Sequence, residues 1–278
     1  MKHIYDQVAI ASSKMITRRY STSFSLGIYF LDSKIHNDIY AIYGFVRLAD
    51  EIVDSFHGFD QVEMMKQIRE ETQKAIRDKI SINPVLNAFQ LTVNKFQIEW
   101  ELIDTFLKSM EMDLDKDIHD PSSFDAYVLG SAEVVGLMCL RVFTNNNNEQ
   151  YQSLKESAMR LGSAFQKVNF LRDLKADYED LGRSYFPNID LRQFSSTDKE
   201  SIEKDISEDF DAALEGIKRL PKCAKLGVYL AYIYYRALFN KISKLSPNRV
   251  MNERIRIPNY SKFGLMFDSI IRYKLNLL

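Results

Sequence analysis

Four pairs of aspartates stand four residues apart in this chain: Asp50/Asp54, Asp113/Asp117, Asp173/Asp177 and Asp205/Asp209. Chance alone supplies about two such pairs at this aspartate frequency, so the neighbouring residues must discriminate. Asp205/Asp209 lies in STDKESIEKDISEDFD, whose charges predict an ordinary solvated helix face. Asp113/Asp117 lies in MEMDLDKDIHD, which runs into a loop; Asp113 alone stays open as a neighbour of a site. The other two pairs have a different setting. Tyr43, Arg47, Asp50 and Asp54 follow one another at helical spacing, and so do Gln166, Asn169, Asp173, Asp177 and Asp180. A helix rises about 6 Å over four residues, so each line stacks its carboxylates on one face. Their flanks, AIYGFVRLADEIV and GSAFQKVNFLRDL, are too apolar for surface helices. A buried carboxylate needs a cation or hydrogen-bond donors. Oxygen-only pairs suit a hard divalent ion, above all Mg²⁺, whose other ligands are water and phosphate oxygens. Two readings stand at this point: one two-walled Mg²⁺ site, or two amphipathic helices with polar outer faces.

The elements that would carry these residues read as helices. In residues 35–56 the apolar positions Ile35, Ile39, Ile42, Val46, Ala49, Val53 and Phe56 form one stripe. Further helices are expected over 60–79, 84–95 and 99–112, and after an N-terminal cap in DPSSF (120–124). NNNN (145–148) marks a loop, after which a long helix runs to about 181 and stops at Gly182. Residues 198–219, 222–244 and 261–276 complete the set; no element is read in the first 34 residues. No alternating strand pattern, Gly-rich phosphate loop, fixed-period repeat or linker interrupts this order. The expected architecture is a single all-α domain over 1–278, of about ten helices.

Composition narrows the function classes. Lys and Arg total 37 against 38 Asp and Glu, which argues against a general nucleic-acid binder. Cys139 and Cys223 lack metal-ligand spacing and suggest a reduced, cytoplasmic protein. His3, His36, His57 and His119 are scattered and form no ligand pair. No signal peptide is read at the start, and no run of about 18 uncharged apolar residues predicts a membrane span. Peripheral contact with a membrane stays open, without a basic amphipathic helix that compels it.

Five ordered segments resemble the trans-isoprenyl diphosphate synthases that join substrates head to head, the phytoene/squalene synthase family. YSTSFSLGIYFL (20–31) resembles its N-terminal S-x-S-F segment, and AIYGFVRLADEIVD (41–54) its first aspartate-rich motif. YVLGSAEVVGLMCLRVF (127–143) resembles the mid-chain segment, and AFQKVNFLRDLKADYEDLGRSYFP (164–187) the second motif. YYRALFNKI, followed by NERIRIP, resembles the C-terminal end. Two positions depart from the family pattern: Glu51 replaces the second aspartate of the first motif, and Tyr20 stands where some members carry histidine.

The resemblance implies an isoprenoid synthase fold around a central cavity. Asp50 and Asp54 would face Asp173 and Asp177 across its mouth, with Asn169 as a further metal ligand. Two or three Mg²⁺ ions would hold the diphosphates of two prenyl substrates. Ser21, Arg47, Gln166, Arg172 and Arg254 match positions near the diphosphates; Tyr43, Tyr127, Tyr185 and Tyr235 match aromatic cavity positions. The reaction implied runs through a cyclopropyl diphosphate. GRSYFPNIDL and RIRIPNYSKF resemble phytoene synthases most, which implies two geranylgeranyl diphosphates as substrates. The alternatives are squalene or dehydrosqualene formation from farnesyl diphosphate, with NADPH only for squalene. A single-substrate terpene cyclase and a non-catalytic helical binding protein are the rivals beyond the family. The small residues of GSAEVVG (130–136) and LGSA (161–164) would either leave room for a prenyl tail or let helices pack closely. Oligomeric state is not legible.

Overall fold

The computed structural model describes residues 1–115, 121–181, 186, 189, 193–253 and 255–275, with backbone alone for 22–23, 115, 175–181 and 259–263. Among the described residues every regular element is helical. In chain order these are α1 (Lys2–Tyr20), α2 (Thr22–Tyr29), a 3₁₀ turn (Ser33–Ile35), α3 (His36–Ser55), α4 (Gln61–Asp78), α5 (Pro84–Phe96) and α6 (Trp100–Asp115). α7 (Pro121–Val128), a π-helical turn (Leu129–Glu133) and α8 (Val134–Thr144) then run on as one helix. α9 (Asn148–Leu181), α10 (Ser196–Arg219), α11 (Lys222–Ser243), α12 (Pro247–Asn252) and α13 (Asn259–Lys274) complete the chain.

Local chemistry sets several of the boundaries. Asn83 caps α5 by accepting from the Val85 amide at 3.0 Å, and Pro84 occupies the first turn, where its missing N–H costs nothing. Ser195 and Asp198 close a reciprocal capping box at the start of α10. The helix expected after DPSSF begins at Pro121, for the same reason as α5. The expected stop at Gly182 lies outside the described residues.

Two apolar cores flank a cavity. One joins α3, α4, α5, α6 and α8 around Phe45, Phe89 and Phe106, with the first two rings stacked at 3.9 Å. The other joins α7, α9, α10 and α11 around Phe170, Phe210 and Phe239. α3 is not half-buried as its single stripe suggests. Tyr40, Ala41, Gly44 and Phe45 are buried as well as Ile39 and Ile42, because α1, α5, α6 and α8 all pack on it. The continuous helix Pro121–Thr144 is apolar and long enough to cross a membrane, yet half of its most apolar window is buried against neighbouring helices.

One charged network corrects the reading of Asp205/Asp209. Asp209 is fully buried between α9 and α10, not solvated. It accepts hydrogen bonds from Ser163 (2.7 Å), Lys167 (2.8 Å) and Arg160 (3.0 Å). Lys167 also reaches Asp205, so the pair is a structural anchor between the two long helices. Glu133, on the π turn, faces this network. Burial and the Asp209 carboxylate push its pKa up to about 7, against the pull of Lys167 and Arg160. A carboxyl raised in the folded state destabilises once it ionises. The loss sets in as pH rises past the unfolded value near 4.5 and is complete above about 7. Glu133→Gln is therefore expected to match the parent at about pH 4.5 and to exceed it by about 1–2 kcal/mol at pH 8, after discounting for solvent screening. Urea titrations at the two pH values check this; an equal gap at both would show that Glu133 does not titrate upward.

Candidate active site

The cavity, about 390 Å³, lies between the two cores. Tyr43 and Val46 of α3 line it on one side; Gln166 and Asn169 of α9 line it on another. Continuing along each helix by one or two turns brings Asp50 and Asp54 after Val46, and Asp173 after Asn169. Shared neighbours put both acidic lines at one end of the cavity, its mouth. Electrostatic contacts close the ring between them. Tyr43 senses both Asp50 and Tyr235, and Tyr235 senses both Arg172 and Asp173.

On the α3 wall, Arg47 donates to both Asp50 and Glu51, and its guanidinium lies over the Tyr20 ring at 4.3 Å from the centroid. Burial, and then the neighbouring Asp54 carboxylate, push the Asp50 pKa up to about 6 despite Arg47. Glu51 goes the other way. Burial opposes its charge, but hydrogen bonds from Ser55 and Arg47 hold its carboxyl below the usual range. The family-divergent residue is thus a clamp on Arg47. Asp54 is exposed at the rim.

On the α9 wall, Arg172 donates from Nε to Asp173 at 3.1 Å. Tyr235 of α11 donates its hydroxyl proton to Asn169 Oδ1 at 3.3 Å and stacks on Phe165 at 4.0 Å. Burial raises the pKa of that hydroxyl, so it stays protonated and able to donate. Across the cavity Phe24 lies 4.9 Å from Tyr43, and Ser21 sits beside them as the N-cap of α2, accepting from the Phe24 amide at 3.1 Å.

Of the expected site residues, Ser21, Tyr43, Gln166, Asn169 and Tyr235 line the cavity. Asp50, Asp54, Arg47, Arg172 and Asp173 follow at the mouth. Asp177 is on α9, but its side chain lies outside the described residues, as do Tyr185 and Arg254 altogether. Tyr127 is not among the described residues that line this cavity. It is buried beside Phe170, with ring centroids 6.0 Å apart, and donates to Asp113 Oδ2 at 3.0 Å. Its spacing marks a buried face of α7, which turns toward the second core.

Both uses of the small residues occur. A Cβ on Gly130 would come within 2.4 Å of the Ser109 Cβ, so Gly130 allows α6 to pack closely. Gly136, Ala158 and Gly162 line the cavity, and Gly136 and Gly162 also allow close packing: a Cβ there would come within 3.1 Å of the Ala158 carbonyl and 2.8 Å of the Ala132 carbonyl. Phe24 and Phe165, which frame the polar mouth, carry no sequence signal that separates them from core aromatics.

The oxygen donors come as pairs on two walls; among the described residues no cluster of three or more His, Cys, Asp or Glu side chains forms a cage. The raised Asp50 pKa records burial first and the Asp54 carboxylate second, which Arg47 does not offset. Those two features fit a hard cation completed by phosphate and water oxygens, so the residues present suit Mg²⁺.

The helical shell that encloses this cavity is shared with solved structures. A dehydrosqualene synthase crystallised with a ligand superposes with TM-score 0.83 at 23% identity, covering 97% of this chain and 98% of that one. A squalene synthase from Alicyclobacillus acidocaldarius gives TM-score 0.75 at 21% identity, covering 86% and 94%. The architecture is the isoprenoid synthase fold. Residues 17–261 match the squalene/phytoene synthase family, and the chain belongs to it. It is accordingly a prenyltransferase of the kind that condenses prenyl diphosphates head to head. Among its relatives, a phytoene synthase of Arthrospira platensis is 26% identical over 274 residues, covering 90% of this chain and 88% of that protein. A 4,4′-diapophytoene synthase of Staphylococcus haemolyticus is 24% identical over 283 residues, covering 93% and 95%.

Proposed function

We propose that the chain condenses two geranylgeranyl diphosphates to phytoene in a Mg²⁺-dependent reaction. The observation that carries the C20 substrate is the depth of the cavity. Its α9 wall runs from Asn169 at the mouth back to Leu154. At 1.5 Å per residue this is about 22 Å, similar to an extended four-isoprene tail. The similarity to phytoene synthases supports the same reading, while that to a diapophytoene synthase favours the shorter C15 substrate as the second reading.

Asp50, Asp54, Asn169, Asp173 and Asp177 would hold the metal. Bound there, Mg²⁺ supplies Lewis-acid neutralisation of the leaving diphosphate. Arg47 and Arg172, already oriented by their carboxylate partners, present the remaining N–H groups to phosphate oxygens, with Ser21, Gln166 and Arg254 as further donors. The allylic cation left behind lies between the Phe24/Tyr43 and Phe165/Tyr235 ring pairs. Their faces stabilise positive charge by about 2 kcal/mol when desolvated. The apolar wall beyond them excludes water that would quench the cation.

Product analysis after incubation with Mg²⁺ and either C20 or C15 diphosphate, with and without NADPH, tests this. A C40 hydrocarbon from the C20 substrate, unaffected by NADPH, is the expected result. A C30 product from C15 alone would sink the chain-length assignment, and no diphosphate release from either would sink the catalytic one.

A further inference from the structure

α1 is turned inside out relative to an ordinary amphipathic helix. Its buried face consists of Ala9, Ser13 and Thr17, while Ile4, Val8 and Met15 are 53%, 52% and 59% exposed. The inward choice is forced by distance. α1 runs so close to α3 that a Cβ on Gly44 would stand 2.8 Å from the Ser13 Cβ, and larger inward side chains would not fit. The outward choice has no such cause. Ile4, Val8, Ala11 and Met15 recur at intervals of four, three and four, which is one continuous stripe on the solvent side. A soluble helix would carry polar residues there.

Charge accompanies the stripe. Lys2, Lys14, Arg18 and Arg19 stand against a single carboxylate, Asp6, in the first 20 residues of a chain whose net charge is −1. Asp6 is held by Asn87 of α5 and by Lys2, each at 2.9 Å, and Lys14 lies over the Tyr40 ring of α3, so Arg18 and Arg19 carry the charge beside the stripe. Arg18 and Arg19 are exposed and, among the described residues, enter no ion pair. The helix also ends at the active site. Tyr20 lies under the Arg47 guanidinium, and Ser21 lines the cavity.

We propose that the outer face of α1 docks on a bilayer surface bearing anionic phospholipids, with the stripe in the headgroup–acyl boundary and Arg18 and Arg19 on lipid phosphates. An in-plane helix with an apolar face and basic flanks binds in this way. The placement serves the reaction. Prenyl diphosphates are amphiphiles and the product is a hydrocarbon, so a mouth held against lipid receives the one and releases the other without crossing water. The proposal rests only on the head-to-head class of reaction and is indifferent to chain length.

Sedimentation of the full chain with vesicles tests it. Vesicles of phosphatidylcholine containing about 30% phosphatidylglycerol are compared with phosphatidylcholine alone. The parent is expected to partition at least about tenfold more strongly onto the anionic vesicles, and the triple variant Ile4→Gln/Val8→Gln/Met15→Gln to lose at least about tenfold of that binding. Thermal melting and turnover of detergent-dispersed substrate should be unchanged in the variant, since all three side chains already face solvent. Turnover of vesicle-borne substrate should fall. A parent that stays in the supernatant, or a variant that binds as the parent does, overturns the proposal. So does a parent dimer that the triple variant converts to monomer, which would make the stripe a contact between copies. Loss of activity in detergent for the parent itself would count against the enzymatic reading and leave the vesicle result to judge the docking face.

Discussion

Asp50→Asn and Asp173→Asn are each expected to lower Mg²⁺-dependent diphosphate release by roughly 10²–10³-fold or more, the scale of losing one group that stabilises transition-state charge in a dry site. Asparagine keeps the size and removes the anion, so the change isolates charge from shape. The two positions should differ in stability. Asp50 also accepts from Arg47, but burial, and then the Asp54 carboxylate, outweigh that contact and make its charge unfavourable in the folded protein without metal. Asp50→Asn should therefore melt at or above the parent temperature while losing activity. Asp173 instead accepts from Arg172, and Asp173→Asn weakens that charge-assisted bond, so a lower melting temperature is expected. Loss of activity with a preserved or raised melt at Asp50 cannot be put down to unfolding. Asp205→Asn serves as the control, because Asp205 lies on α10 as an outer partner of Lys167 of α9 and belongs to neither acidic wall. Parental diphosphate release in either the Asp50 or the Asp173 variant would show that the two walls do not work as one site.

The sequence makes the long helices and the two acidic walls readable for a physical reason. Those helices bury an apolar face at regular spacing, and the walls put ionisable groups where such faces allow none. What escapes the sequence is burial decided by a neighbour. α1 and α2 are not read at all, because α1 packs with alanine, serine and threonine and shows its larger apolar residues to the outside. Asp209 reads as solvated because its helix is rich in charge. Its partners Ser163 and Lys167 belong to α9, some 40 residues earlier, and no local pattern joins them. Tyr127 fits an aromatic cavity position by its place in a motif, and only the path of α7 reveals that it points to Asp113. Glu51 shows the same limit on a smaller scale: its identity is visible, whereas its hold on Arg47 depends on a side-chain direction.

Ala158→Phe is expected to separate the two candidate chain lengths by about 100-fold. Ala158 lines the cavity 11 residues before Asn169 on α9, about 16 Å from the mouth at 1.5 Å per residue. A ring at that depth closes the floor beyond it, where Leu154 now marks about 22 Å. A C20 tail would then be cut short by about one isoprene unit, while a C15 tail would still fit. kcat/KM for geranylgeranyl diphosphate should fall about 100-fold, near the upper end of what an apolar pocket achieves by shape, and that for farnesyl diphosphate should stay within a few-fold. The fold should tolerate the change, because the ring enters existing space and does not displace packed side chains. The neighbouring backbone explains why the alternative site fails: a Cβ on Gly162 would come within 2.8 Å of the Ala132 carbonyl, so a large residue there would separate α9 from the π turn. Full C20 turnover in Ala158→Phe would mean that the tail does not run along α9. An equal loss for both substrates would mean that both tails pass the same point, and the depth of this wall would no longer distinguish C20 from C15.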